Sequence, residues 1–319
     1  MDNKTVLITG FTGFVSTYFL EYLDNKKEQV QIVGITRKEL TQLPIYKHLT
    51  IHVEGADLND RLKIQDILAY YRPDYILHLA SDSSVAYSWK FPINSFQNNT
   101  NVFLNLLEGV RILNLPCRVL SVGSSEQYGI VQPQYLPLTE DAPLNPISPY
   151  AAARVSQELL SKVYVQGYGL DIVMTRSFNH IGPRQKEQFV ISSFAKQMIL
   201  LKKGRIEQLK TGDLSIVRDF LDVRDVVNAY YLLLTKGKKG MVYNICRGEG
   251  HTLDEILTMM GEILNISSIQ KSKIIFSRPN DNPIIIGSNQ KIQAEVAWKP
   301  QITLKNSLKD ILQYWDERV

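Results

Sequence analysis

Cysteine is scarce: the 319-residue chain has two, Cys117 and Cys246, far apart and outside any CxxC or Cys/His cluster. That excludes a disulfide framework and a zinc site, so no metal is expected, and both residues read as small apolar fillers. No run of 18 apolar residues occurs, and no basic segment followed by an apolar run and a cleavage site opens the chain. The expectation is a soluble cytoplasmic protein with no membrane partner. Blocks of like charge are also missing: 36 basic and 32 acidic residues are scattered, for a net charge of +4. So dispersed a surplus excludes a nucleic-acid footprint but suits a small anionic ligand. With no low-complexity tract and no internal repeat, 44% hydrophobic and 21% charged residues describe an ordinary globular chain, long enough for two lobes.

What is present is an α/β rhythm. Residues 5–9 form an apolar, β-rich run that leads through Gly10-Phe11-Thr12-Gly13-Phe14-Val15-Ser16 into an amphipathic helix from about Val15 to Leu23. A strand passing through close glycines into a helix N-terminus brings backbone amides and the positive helix end to a pyrophosphate, so Gly10, Thr12, Gly13, Phe14 and Val15 are candidate cofactor residues. Ser16 stands where a third glycine would ease packing on the sheet. A second apolar run, Val30 to Ile35, ends in Thr36-Arg37-Lys38, where a basic pair suits the 2′-phosphate of NADP better than the ribose hydroxyls of NAD; NAD stays open. Asp57, with Leu58 beside it, is placed for the adenine edge or as a cap of the next helix. The buried strand Tyr75 to Leu79 ends in the small residues Ala80 and Ser81, which let a cofactor approach the backbone, and His78 within it reads as a core histidine. A loop with Ser83 and Ser84 precedes a long helix, about Pro92 to Leu113, whose Asn98, Asn99 and Asn101 mark a buried water site or an oligomer contact.

The strand starting at Arg118 ends in Ser124-Ser125-Glu126, at the sheet edge where α/β sites form, which makes Ser124 a hydrogen-bond donor to a substrate oxygen. Ser148-Pro149-Tyr150 then opens a helix to about Tyr168, with Ser148 as its cap. Tyr150 and Arg154, four residues apart, share a helix face and can share a ligand. A phenol titrates near pH 10 in water, so proton exchange by a tyrosine at neutral pH needs a nearby cation, which Arg154 supplies. After the strand Asp171 to Arg176 the rhythm breaks at Asn179-His180, and a substrate lobe is expected. The division reads as a first lobe of 1–176 plus about 217–246, and a second of about 177–216 plus 247–319.

In this order the first-turn glycines, Asp57-Leu58, His78-Leu79-Ala80, Ser124, Tyr150, Arg218-Asp219-Phe220 and Arg278-Pro279 resemble, over nearly the whole chain, the extended short-chain dehydrogenase/reductase family that works on nucleotide sugars. The resemblance implies a Rossmann-type doubly wound parallel sheet with a smaller C-terminal α/β substrate lobe. Segments SSEQYG, NPISPYAAA, SFNHIGP, FAKQ and VRDFLDVRDVV are most similar to the members that reduce GDP-4-dehydro-6-deoxy-D-mannose to GDP-D-rhamnose. The 4,6-dehydratases differ where this chain reads RDFLDVRD. By resemblance the catalytic residues are Ser124, Glu126, Tyr150 and Arg154, and the cofactor residues extend to Leu79, Ala80, Ser81 and Asn99. The sugar nucleotide is expected against Ser84, Asn179, His180, Arg184, Arg218 and Arg278, the last two as forked cations for a diphosphate. A homodimer through a four-helix bundle of the Asn99 and Tyr150 helices is also implied. One departure stands out: the family pattern is Tyr-x-x-x-Lys, and Arg154, bulkier and never deprotonated, implies altered, slowed or redirected activity. The alternatives are a 4,6-dehydratase or 4-epimerase, which retain their cofactor through the cycle, a 4-dehydrogenase, and a cofactor-binding scaffold that has lost catalysis.

Overall fold

Alternating burial along β1 (Lys4–Thr9) sets the architecture, because Val6 and Ile8 enter one core and Leu7 the other, all three fully enclosed. Each such side chain contributes about 1.5–3 kcal/mol by leaving water, and on a parallel strand both faces gain it. The computed structural model describes residues 1–37, 40, 45–273 and 282–319. In it β2 (Val30–Thr36), β3 (Leu49–Gly55), β4 (Tyr75–His78), β5 (Arg118–Ser124) and β6 (Asp171–Ser177) pair in parallel with β1 or with one another. Three strands then leave this sheet, β7 (Asn179–Ile181), β8 (Leu209–Thr211) and β9 (Val217–Asp222), before β10 (Val242–Ile245) returns to pair with β6. The resulting order, β3-β2-β1-β4-β5-β6-β10, reverses direction between β1 and β4, and the crevice at the carboxyl ends of those two strands is where such sheets take ligands.

Helices α1 (Phe14–Asn25) and α7 (Val223–Lys236) cover one face. On the other lie α2 (Arg61–Tyr71), α4 (Pro92–Ile112, following the short α3 at Val85–Lys90) and α5 (Pro149–Tyr168). The start of α5 follows from its sequence: Ser148 Oγ accepts the Ala151 amide at 3.1 Å, Pro149 brings its fixed φ, and Gly169 ends the helix in the left-handed conformation. The cap of α2 is Asp60, which accepts the Lys63 amide, so the helix-capping alternative for Asp57 is corrected. Cys117 and Cys246 are buried free thiols, as expected of apolar fillers.

The second lobe is built on β9, which pairs with β7, β11 (Gly250–Thr252) and β13 (Ile284–Ile285), while β8 pairs with β12 (Lys271–Lys273). Its core joins α6 (Val190–Lys202), α8 (Leu253–Leu264) and α10 (Leu304–Asp316) through Phe194, Met198, Ile256 and Leu308. Two boundaries differ from the sequence reading. Residues 217–222 belong to the second sheet, so the chain re-enters the first lobe at α7. Conversely, α9 (Gln290–Val296) and Trp298 pack into the first-lobe core, where the Trp298 indole donates to the Asp225 carbonyl at 3.0 Å. Among the described residues no helix is long and apolar enough to cross a membrane.

Candidate active site

The β1–α1 turn has the shape of an anion cradle. Helix α1 begins at Gly13 with no side-chain cap, so no side chain competes for its first-turn amides. Gly10 has φ +69°, and a Cβ on it would lie 2.9 Å from the Ala80 amide nitrogen, so only glycine allows β1 and β4 to approach here. Gly13 donates to the Gly10 carbonyl at 2.9 Å and closes the turn. Thr12 and Gly13 are exposed, Phe14 and Val15 half-buried, and Ser16 is buried with its hydroxyl unpartnered. Leu79, Ala80 and Ser81 surface at the far wall. Arg37 is exposed at the end of β2; Lys38 lies outside the described residues. Asp57 is exposed and accepts from the backbone and side chain of Asn59, while the neighbouring Leu58 is buried. Uncapped amides beside a turn whose two ends, Gly10 and Gly13, carry no Cβ fit a dinucleotide's pyrophosphate.

Sequence reasoning missed Thr9, which ties this turn together. Its Oγ1 accepts the Leu79 and Ala80 amides, each at 3.1 Å, and lies 2.9 Å from His78 Nδ1. A hydroxyl as the last side chain of an apolar strand was the available signal. His78 is a core histidine as read, and burial pushes its pKa down to about 3, so the ring is neutral.

At the end of β5, Ser124 Oγ accepts the Glu126 amide at 3.2 Å, which leaves the Ser124 O–H to donate elsewhere. Glu126 is half-buried in the single helical turn Ser125–Tyr128 that follows. Tyr150, on the first turn of α5, has a buried ring whose hydroxyl has no protein partner among the described residues and is not sealed from solvent. The Arg154 guanidinium carbon sits 5.3 Å from the centre of that ring. Arg154 is itself only 5% exposed, and Nη1 donates to the Val122 carbonyl at 3.1 Å and to Gln157 Oε1 at 2.5 Å. Because Val122 lies two residues before Ser124, this contact brings the cation of α5 to the carboxyl edge of β5.

Beneath these groups lies a buried ionic network that the sequence reading did not identify. Glu158, on α5, takes both Nε and Nη2 of Arg176 at 2.9 Å and also accepts Gln127 Nε2 at 2.7 Å. The Gln127 carbonyl in turn accepts the Ser124 amide at 2.9 Å, so α5 fixes the turn that carries Ser124 and Glu126. Burial opposes ionisation of Glu158, but the Arg176 and Lys162 contacts outweigh it and hold the carboxyl at about 2.

Several expected ligand residues have protein partners in the structure. Asn99 is enclosed, with its amide bonded to the backbone of Asp82 and Ser95, so it supports the loop after β4 rather than facing a cofactor. The Ser84 hydroxyl caps α3 by accepting the Tyr87 amide. Arg184, at φ +71°, forms a bidentate pair with Glu21 and covers the Tyr18 ring. Arg218 is buried and donates to the Val217 carbonyl at 2.9 Å. Its neighbour Asp219 accepts the Arg247, Gly248 and Gly287 amides, tying two second-lobe loops to β9, while burial pushes its carboxyl up to about 6. Asn179 is half-buried with no side-chain hydrogen bond among the described residues. The His180 ring stacks on Phe14 at 6.3 Å and is kept neutral at pH 7 by desolvation. Arg278 lies outside the described residues, and no cluster of metal-binding side chains occurs among those described.

Comparison with known proteins agrees with this geometry. A family model described as GDP-mannose 4,6 dehydratase matches residues 7–311. The chain is 34% identical over 317 residues to GDP-6-deoxy-D-mannose reductase of Pseudomonas aeruginosa, covering 99% of this chain and 98% of that protein. It is 29% identical to GDP-mannose 4,6 dehydratase 2 of Arabidopsis thaliana, over 96% of this chain and 85% of that one. Among solved structures, RMD from Pseudomonas aeruginosa complexed with NADPH superposes with a TM-score of 0.86 at 30% identity, covering 99% of this chain and all of that one. The UDP-glucose 4-epimerase of Thermus thermophilus in complex with NAD gives 0.85 at 27% identity, with 99% and 100% covered.

Proposed function

The chain belongs to the GDP-mannose 4,6-dehydratase family of extended short-chain dehydrogenase/reductases, and from that premise we propose that it reduces the C4 ketone of GDP-4-dehydro-6-deoxy-D-mannose to give GDP-D-rhamnose. The observation that carries this reading is Tyr150, a buried phenol whose hydroxyl has no partner among the described residues and whose ring has the Arg154 guanidinium against it; Arg154 in turn reaches the strand that ends in Ser124, a serine whose O–H is left to donate. NADPH, when bound, supplies the hydride. Tyr150 gives its proton to the alkoxide oxygen forming at C4 and is reprotonated from solvent, so one hydride and one proton complete the alcohol. Ser124 donates a hydrogen bond to the same oxygen, and Arg154 stabilises the phenolate left behind. Arg37 favours NADP over NAD by pairing with the 2′-phosphate. The likeness to an NADPH-bound neighbour supports this choice.

Asn179 and His180 are proposed to line the sugar pocket, with the second lobe taking the GDP moiety and Arg218 supplying charge toward its diphosphate. A homodimer in the cytoplasm completes the reading, built as a four-helix bundle of α4 and α5, whose outer faces carry the exposed Ile93, Phe96, Leu159 and Val163. A second reading is 4,6-dehydration, in which Glu126 would remove the C5 proton; in the reductase the same carboxylate binds sugar hydroxyls, so its presence does not decide between the two.

Incubation of the purified protein with GDP-4-dehydro-6-deoxy-D-mannose and NADPH, and in parallel with GDP-mannose and NADP, separates the two. Stoichiometric loss of reduced-nicotinamide absorbance that disappears in Tyr150→Phe supports reduction. Conversion of GDP-mannose with no net change in nicotinamide absorbance would establish the dehydratase instead.

A further inference from the structure

The buried face of α5 is polar where an apolar stripe is expected: Arg154, Gln157, Glu158 and Ser161, at spacings of three, four and seven, are all nearly inaccessible. Within it the Gln157 amide has no freedom. Its Nε2 donates to Ser121 Oγ at 2.9 Å and to the Val122 carbonyl at 3.2 Å, and Ser161 Oγ reaches the same Ser121 hydroxyl at 3.2 Å. With both amide hydrogens directed at acceptors on β5, Oε1 must face residue 154, and the only group that satisfies it there is a donor. Arg154 Nη1 is that donor, and its second hydrogen goes to the Val122 carbonyl. On the same guanidinium, Nε is buried without a partner, and Nη2 makes no hydrogen bond among the described residues.

We propose that Gln157 is a positioning residue that makes arginine the required cation at 154, clamping one end of the guanidinium to β5 so that Nη2 is left for the bound cofactor. This inference rests on the cofactor-dependent reading above. A lysine ammonium would end near the guanidinium carbon, one C–N bond of about 1.3 Å short of Nη1, and would leave the Gln157 carbonyl facing no donor. The arginine is therefore matched to its surroundings rather than being a defect in a lysine site.

Three variants test this through NADPH binding, followed by quenching of intrinsic fluorescence, and through urea unfolding of the protein without cofactor. Gln157→Met keeps side-chain length without the amide and is expected to weaken NADPH at least tenfold; Arg154→Lys is expected to do the same. In the double variant the lysine no longer meets an unsatisfied carbonyl, so binding should recover at least threefold over Arg154→Lys alone, and the unfolding midpoints of the two changes should be non-additive. A residue that merely fills space gives no such rescue. Wild-type affinity in either single variant, or strict additivity, overturns the proposal. Should Gln157→Met fail to fold, Arg154→Lys still decides. If the wild-type protein binds no nicotinamide nucleotide, the reading of the site falls and this inference with it, whereas binding that is indifferent to position 157 sinks the inference alone.

Discussion

Thr9 Oγ1 lies 2.9 Å from His78 Nδ1 while accepting the amides of Leu79 and Ala80. Both backbone groups are donors, so the single hydroxyl hydrogen goes to Nδ1, and His78 is the neutral tautomer protonated at Nε2. Three groups around the cofactor turn thus depend on one hydroxyl. Replacing Thr9 by valine keeps the shape and strands two amides, at a cost of about 1–3 kcal/mol. Urea unfolding should show that loss in Thr9→Val and far less in Thr9→Ser, with NADPH affinity following the same order. Equal stability in the two variants would mean the methyl, not the hydroxyl, matters.

The same histidine sets an acid limit. Its pKa falls from 6.5 to about 3 on burial, so the unfolded chain binds a proton below pH 6.5 that the folded chain refuses until about pH 3. Stability from this group is present above 6.5 and lost as pH falls, by up to about 5 kcal/mol over the window. Asp219 acts oppositely: with its carboxyl raised from 3.8 to about 6, its contribution is present below about pH 4 and lost as pH rises through 6. The difference between wild type and His78→Asn, measured by urea unfolding from pH 7 to pH 4, isolates the histidine. The variant's profile should be flatter, and parallel profiles would contradict the buried neutral ring.

Glu158 supplies a second, lower window. Its carboxyl is held at about 2 against an ordinary 4.5, so its stabilisation is complete above 4.5 and fades toward pH 2, amounting to about 3 kcal/mol. Glu158→Gln leaves the Arg176 charge buried without its counter-ion and should cost about 3–5 kcal/mol at pH 7, while removing the decline between pH 4.5 and 2. Because Gln127 links Glu158 to the Ser124 amide, kcat should fall more than the KM for NADPH rises. Unchanged kcat in the folded variant would separate this network from catalysis.

Much of this arrangement was legible in the chain. The glycine turn, Ser124 at a strand end and the Tyr150 helix with its Ser148 cap follow from local rules in which spacing alone places side chains. Less visible was whatever depends on a distant partner. Nothing near Arg184 announces that Glu21, on the distant helix α1, will claim it, and Asn99 reads as a ligand until its carbonyl is seen to accept the Asp82 amide. The strand Val217–Asp222 was assigned to the first lobe because its pattern cannot say which sheet it joins; Asp219, accepting amides from two second-lobe loops, decides that. Gln157 and Glu158 left one trace, polar residues on the inner stripe of α5, whose meaning depends on Ser121 and Arg176 in other strands.

Gly10 offers the most direct test of the cradle. A Cβ there meets the Ala80 backbone at 2.9 Å in a left-handed conformation, and neither strand can yield without breaking the Thr9 contacts. Gly10→Ala should cost about 1–2 kcal/mol of backbone strain and weaken NADPH at least tenfold. Gly167→Ala is the control, since nothing lies within 4 Å of its added methyl. Calorimetric titration that finds both variants binding equally would place the nucleotide elsewhere.

On α5 the face opposite Glu158 and Ser161 is apolar, with Leu159 at 54% and Val163 at 56% exposure one turn apart, and α4 beside it presents Ile93 and Phe96. Glu108 joins the two helices by accepting the Tyr164 hydroxyl at 2.6 Å and pairing with Arg111, so they form one rigid pair able to meet its own copy. A two-fold axis would bury each apolar row against its equivalent, and two carboxylates per protomer placed there would face one another without counter-ions. Leu159→Glu combined with Val163→Glu should therefore turn a dimer into a monomer by light scattering after size exclusion, with little change in far-ultraviolet circular dichroism. Tyr150 lies on the buried face of the same helix, so NADPH binding should persist in the monomer. A wild-type protein that elutes as a monomer at micromolar concentration rules out the bundle, and a double variant that remains dimeric moves the interface to another face.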